Sequence, residues 1–167
     1  LPENDPFQPV AKNIPLINQL IENGYTGRKG KGGFYRMNKE NNQKILEAIN
    51  LDSGKYAPSK KIDLQIEITD INNLISRKDK YGDYAWSVIS KIIKYASSLV
   101  PGITDKFNDI DEAMRLGFNW AMGPFEMLKE IGVKNFFERV DEFKGNKFLE
   151  DLSKSKNENF YGERQLY

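Results

Sequence analysis

The chain has 167 residues, 39% of them hydrophobic and 29% charged, with a net charge of +1. That is enough for one good core or two small helical ones; charges of both signs are mixed throughout, no clustered basic face marks a nucleic-acid partner, and no apolar run reaches membrane-span length. Histidine and cysteine are both absent, which excludes disulfides, thiolate or imidazole metal sites and Ser-His or Cys-His nucleophiles, and leaves Asp, Glu, Lys, Tyr, Ser and Thr for any chemistry.

Residues Leu1 to Val10 read as an arriving segment held extended by Pro2, Pro6 and Pro9. Leu16, Ile17, Leu20 and Ile21 then predict a short amphipathic helix entered at Ile14-Pro15 and stopped at Asn23-Gly24. Gly27-Arg28-Lys29-Gly30-Lys31-Gly32-Gly33-Phe34-Tyr35 follows, dense in glycine and cations. It admits two readings. One is a phosphate cradle in which Arg28, Lys29 and Lys31 hold an anion such as the phosphates of coenzyme A. The other is a solvated glycine turn anchored to a core by Phe34 and Tyr35. Neither a Walker loop nor a dinucleotide fingerprint fits, because no strand precedes the glycines and no Ser or Thr follows the lysine.

Residues 38–63 read as a polar linker, with a short helix expected at Ile45, Leu46 and Ile49, a turn at Asp52-Ser53-Gly54-Lys55, and an extended end around Pro58. Beyond it, Leu64, Ile66 and Ile68 suggest a brief extended piece, and Thr69 or Asp70 a cap for a helix with Ile71, Leu74 and Ile75. Ala85, Val88, Ile89, Ile92, Ile93, Ala96 and Leu99 keep three-and-four spacing and predict the longest helix, ended by Pro101-Gly102. Burying that face contributes on the order of 1.5–3 kcal/mol per enclosed branched side chain.

Asp105, Asp109, Asp111 and Glu112 lack calcium-loop spacing and read instead as an acidic helix start, with Asp109 as its cap. That helix is expected to stop at Gly117. Phe118, Trp120 and Met122 then alternate through a buried turn, after which Gly123 turns the backbone and Pro124 opens a new helix with Phe125, Glu126, Leu128 and Ile131, stopped by Gly132. Phe136, Phe137, Val140 and Phe143 predict a further helix, Gly145 a break, and Phe148, Leu149 and Leu152 a last one. Phe160-Tyr161 near the end echoes Phe34-Tyr35.

The run Asp109 to Glu126, with its acidic start, Met114-Arg115-Leu116-Gly117 and Gly123-Pro124-Phe125-Glu126, resembles the C-terminal helical domain of L-3-hydroxyacyl-CoA dehydrogenases. Asp5-Pro6-Phe7-Gln8-Pro9 and Gly27 to Tyr35 resemble the closing element of the same domain, so the chain is similar to a tandem arrangement: the tail of a first copy in residues 1–37, the linker 38–63, and a second copy in 64–167. The resemblance implies an all-α helical bundle within an NAD-dependent enzyme of fatty-acid β-oxidation that oxidises (3S)-3-hydroxyacyl-CoA. It implies an acyl-CoA substrate, a separate nucleotide-binding domain as partner, and packing between helical copies or in a homo-oligomer.

The family's catalytic His–Glu pair has no counterpart here, and neither has its Phe-x-x-Asn-Arg segment; Asn119 does not match that asparagine. No catalytic, cofactor-binding or metal-binding residue is therefore expected in this chain, and Gly117, Trp120, Met122, Gly123, Pro124, Phe125 and Glu126 are expected to form a structural elbow. A non-enzymatic helical interaction domain is the remaining alternative. The missing cysteine and the lack of a targeting pattern suggest the cytoplasm.

Overall fold

In the computed structural model, residues 3, 5–9, 13–40, 43–60, 68–140, 143–155 and 160–161 are described. The chain is mainly helical with one small sheet and divides into two units, Leu1–Gln65 and Ile66–Tyr167.

In the first unit, α1 (Pro15–Glu22) starts with proline at its first position and ends at Asn23, after which Gly24 takes a positive φ. The glycine-rich loop leads into β1 (Tyr35–Glu40), β2 (Gln43–Ile49) and β3 (Tyr56–Pro58), an antiparallel sheet in the order β1-β2-β3. The helix expected at Ile45–Ile49 is thus a strand. Ile45, Glu47 and Ile49 share one sheet face while Lys44, Leu46 and Ala48 share the other, a period of two that four apolar residues in seven do not display.

One face of this sheet is closed by a polar seam. The Arg36 guanidinium bonds the buried Glu47 carboxylate at 2.7 Å, donates to the Tyr25 hydroxyl at 3.1 Å, and lies 4.0 Å over the Tyr56 ring. Arg36 holds the Glu47 carboxyl below the usual range. The Tyr56 hydroxyl donates to the Gly33 carbonyl at 2.5 Å, so the loop is anchored by Tyr25 and Tyr56. Phe34 and Tyr35, the expected anchors, are exposed. In an antiparallel strand Tyr35 must point opposite to Arg36, and here Arg36 faces inward.

The second unit holds α2 (Ile71–Ile75), α3 (Lys80–Ser98), α4 (Phe107–Phe118), α5 (Pro124–Ile131), α6 (Val133–Arg139) and α7 (Lys147–Ser155). Asp70 caps α2 by accepting from the Asn73 amide at 2.7 Å. Asp79 caps α3, taking the Tyr81 and Gly82 amides at 3.0 and 3.1 Å while paired with Arg77. Ile75, Ala85, Ile93, Leu128, Ile131, Phe136 and Leu149 form the main core, so α5 packs in the middle with α3 as its longest neighbour. Val88, placed on the buried face of α3 by spacing alone, is exposed beside Tyr84, and Ser90 and Ser97 lie inside instead. The expected extended piece at Leu64 and Ile66 and the residue Gly162 lie outside the described residues.

Both tryptophans, Trp86 and Trp120, lie in the second unit, so their fluorescence follows its unfolding. In urea titrations, Leu128→Ala, at a fully buried site, is expected to lower stability by about 2–5 kcal/mol. Leu116→Ala, at an exposed site, is expected to change it by no more than about 0.5 kcal/mol.

Candidate functional site

Asp111 sits in the apolar stripe of α4, one residue after Ile110 and three before Met114, and is fully buried. Its two carboxylate oxygens accept the backbone N–H groups of Phe125 and Glu126, each at 2.9 Å. These are orphan amides at the start of α5, so a side chain from one helix caps another. The Tyr161 hydroxyl, arriving from the C-terminal tail, donates to the same carboxylate. Glu126 accepts the Gly123 amide at 2.9 Å and pairs with Arg115 of α4, tying the two helices a second time.

Gly123 is required by proximity. A Cβ there would stand 2.3 Å from an Asp111 carboxylate oxygen and 2.4 Å from its Cα. Burial pushes the Asp111 carboxyl above its usual range, partly countered by the Phe125 amide, the Tyr161 hydroxyl and the Glu126 amide. Burial, with the neighbouring Asp111, also pushes the Tyr161 hydroxyl up. Around this knot the ring of Phe107 lies 5.2 Å from Phe125, 5.7 Å from Phe148 and 5.4 Å from Tyr161, and Phe160 completes the cluster. A shallow apolar groove of about 360 Å³ opens beside it, bordered by Val100, Pro101, Phe148, Leu152 and Phe160 with Lys147 and Asp151 at its rim.

The elbow residues therefore separate into two groups. Gly123, Pro124 and Phe125 are buried, with Glu126 half-buried, against Asp111. Trp120 and Met122 are only half-buried, Gly117 is exposed, and Phe118 and Leu116 stand 70% and 80% exposed, so the turn expected inside the core is its outer crest. The helix does not stop at Gly117. It runs to Phe118 and is ended by Asn119, whose φ of 56° and ψ of 37° are left-handed, a conformation asparagine tolerates.

The acidic residues also part company. Asp105, Asp109 and Glu112 face solvent while Asp111 turns inward. Asp109 is not the cap of α4: it lies in the first turn and accepts from the Thr104 hydroxyl at 3.1 Å. Sequence reading missed Asp111, Arg115, Phe107 and Tyr161 as partners. One signal was available, a carboxylate placed among apolar residues recurring at helical spacing.

In the first unit, the amides of Gly27, Gly30, Lys31 and Gly33 are all taken by carbonyls of the same segment. A phosphate cradle needs such amides free. The Lys31 side chain folds back along Gly24 at the end of α1, where a cation is favoured. Arg28 and Lys29 remain exposed, without an ion pair among the described residues. The loop runs from a helix into a strand, the reverse of a dinucleotide fingerprint, so these residues do not fit NAD.

Residues 84–157 match the family described as 3-hydroxyacyl-CoA dehydrogenase, C-terminal domain. A Rickettsia felis protein named as a fatty acid oxidation complex trifunctional enzyme is 35% identical over 93% of this chain and 23% of its own length. Its Rickettsia prowazekii namesake is 40% identical over 81% of this chain and 18% of its own length. A Bacillus subtilis protein named as a 3-hydroxyacyl-CoA dehydrogenase is 28% identical over 94% and 23%. The chain thus spans less than a quarter of the length of these curated relatives. No solved structure matches it.

Gly123→Ala is expected to cost about 1–3 kcal/mol in urea unfolding, since the Asp111 backbone cannot retreat. A pH titration of stability tests the carboxylate. Its folded affinity for a proton exceeds the unfolded one, so its contribution is full below the ordinary aspartate range and is lost as pH rises from about 4 toward the raised value. Wild-type stability relative to Asp111→Asn should therefore fall with rising pH across that window.

Proposed function

Because residues 84–157 belong to the 3-hydroxyacyl-CoA dehydrogenase C-terminal domain family, we propose that this chain is the helical portion of an NAD-dependent (3S)-3-hydroxyacyl-CoA dehydrogenase of cytoplasmic fatty-acid β-oxidation. In this reading it supplies scaffold and interface, and the reacting groups come from other polypeptide. The family match is the observation that carries it. The relatives' names support it, as does the composition: with no histidine, the chain has no imidazole to take a proton from a 3-hydroxyl near neutral pH. NAD binds elsewhere in the intact enzyme, since the glycine loop here has the wrong order of elements.

On this proposal residues 1–37 close a first helical copy and residues 64–167 form most of a second. The Asp111 knot holds the second copy's elbow rigid, and the exposed crest of Leu116 and Phe118 is surface available to the rest of the enzyme. A second reading rests on the exposed Arg28 and Lys29 at the loop tip, which would meet the phosphates of coenzyme A. Titration calorimetry of coenzyme A at modest salt separates it: binding that disappears in Arg28→Ala/Lys29→Ala supports this reading, and no binding, or binding unchanged in that variant, removes it.

The main test uses 3-hydroxybutyryl-CoA and NAD. The intact polypeptide is expected to reduce NAD with the (3S) substrate, and the present chain alone to give none. An intact polypeptide inert toward 3-hydroxyacyl-CoA would overturn the assignment, and robust turnover by the chain alone would overturn the division of roles.

A further inference from the structure

The turn that ends α1 carries Asn23-Gly24, the single place in the sequence where glycine follows asparagine. Glycine has no Cβ to shield its amide, so this dipeptide is the most prone to succinimide formation. The Gly24 nitrogen loses its proton and attacks the Asn23 side-chain carbonyl; a C–N bond forms, the bond from Cγ to Nδ2 breaks, and ammonia leaves with that proton. Water then opens the ring at either carbonyl to give aspartate or isoaspartate, with no oxidant or cofactor. Asn23 is exposed to that water.

The fold restrains each part of this reaction. Ring closure needs the Asn23 Cβ eclipsed with the Gly24 nitrogen, but at a ψ of 3° the Asn23 backbone nitrogen holds that position. The attacking amide donates to the Ile21 carbonyl at 2.9 Å, and the departing Nδ2 donates to the Gln19 carbonyl at 2.8 Å. Both acceptors belong to the last turn of α1, so the restraints are released together when that turn unwinds.

We propose that Asn23-Gly24 is a deamidation site gated by α1: latent while the helix end is intact, reactive when it opens, and self-locking afterwards. The product cannot donate to the Gln19 carbonyl, and it puts a negative charge at the negative end of a helix, which Lys31, folded along Gly24, offsets only in part. Isoaspartate also inserts a methylene into the main chain ahead of Tyr25. The Tyr25 amide donates to the Leu20 carbonyl at 2.8 Å, its hydroxyl accepts from Arg36 at 3.1 Å, and its ring lies 5.4 Å from Tyr56, so the displacement reaches the polar seam of the sheet. None of this rests on the dehydrogenase reading.

In the test, the full chain is incubated in mildly alkaline buffer, with and without urea sufficient to unfold it. Conversion is read by peptide mass spectrometry and by methyl transfer from a protein-isoaspartate methyltransferase. Asn23 is expected to lead the other asparagines in urea and to react at least about tenfold more slowly in the folded chain. Equal rates in the two conditions, or another asparagine leading in urea, overturn the proposal. Asn23→Asp mimics one product and tests the lock: its amides at Gly24 and Tyr25 should exchange with deuterium about two- to fivefold faster than in the parent chain. Unchanged exchange in Asn23→Asp overturns the lock.

Discussion

The second unit depends on one buried carboxylate. Enclosing Asp111 is unfavourable by itself, and the site offsets the cost with two helix-start amides, a tyrosine hydroxyl and the positive end of α5. Satisfying those groups sets where α5 begins relative to α4. Since α5 carries Phe125, Leu128 and Ile131 into the interior, fixing its start fixes the register of the core. Tyr161 reaches the same oxygens, so the tail closes the unit at the point where the elbow is organised.

The first unit solves a similar problem with different groups. Its short helix and three strands offer little apolar volume, and the closed face of the sheet is held by the Arg36–Glu47 pair with the Tyr25 and Tyr56 rings packed around it. A half-buried ion pair with additional donors, including the Asn38 amide, satisfies its charges without a large core. The opposite face keeps its tyrosine, methionine and leucine in water. The two units thus differ in completeness: one closes over its own aromatic tail, and the other presents the same aromatic dipeptide outward.

The proposed scaffold role draws on how the polar side chains of both units are employed. Several described polar groups hold backbone together: Asp111 and Glu126 bind amides, Asp70 and Asp79 cap helix starts, and the amides of Gly27, Gly30, Lys31 and Gly33 bond nearby carbonyls. Similarity extends over nearly the whole chain in the Rickettsia felis and Bacillus subtilis relatives while occupying less than a quarter of each. The likeness is thus to one part of each longer relative.

Much of the fold could be read from the residues. Pro15 and Pro124 at helix starts, Gly132 with a φ of 86° at a helix end, and the apolar spacing of α3 are local effects, set by backbone sterics and by one helix face seeking cover. The motif order around Gly123-Pro124-Phe125-Glu126 likewise pointed to the family whose domain matches residues 84–157.

Other features were settled by partners distant in the chain. Asp111 looked like one acid among four until α5 and Tyr161 came to it across 14 to 50 positions. Phe118 and Tyr35 looked like core because they are large and apolar, yet the backbone turns them outward, at the crest of the elbow and on the open side of the sheet. Local sequence specifies conformation residue by residue, through sterics and periodicity. Which side of an element finds cover, and which carboxylate finds amides, depends on what the remainder of the fold brings alongside.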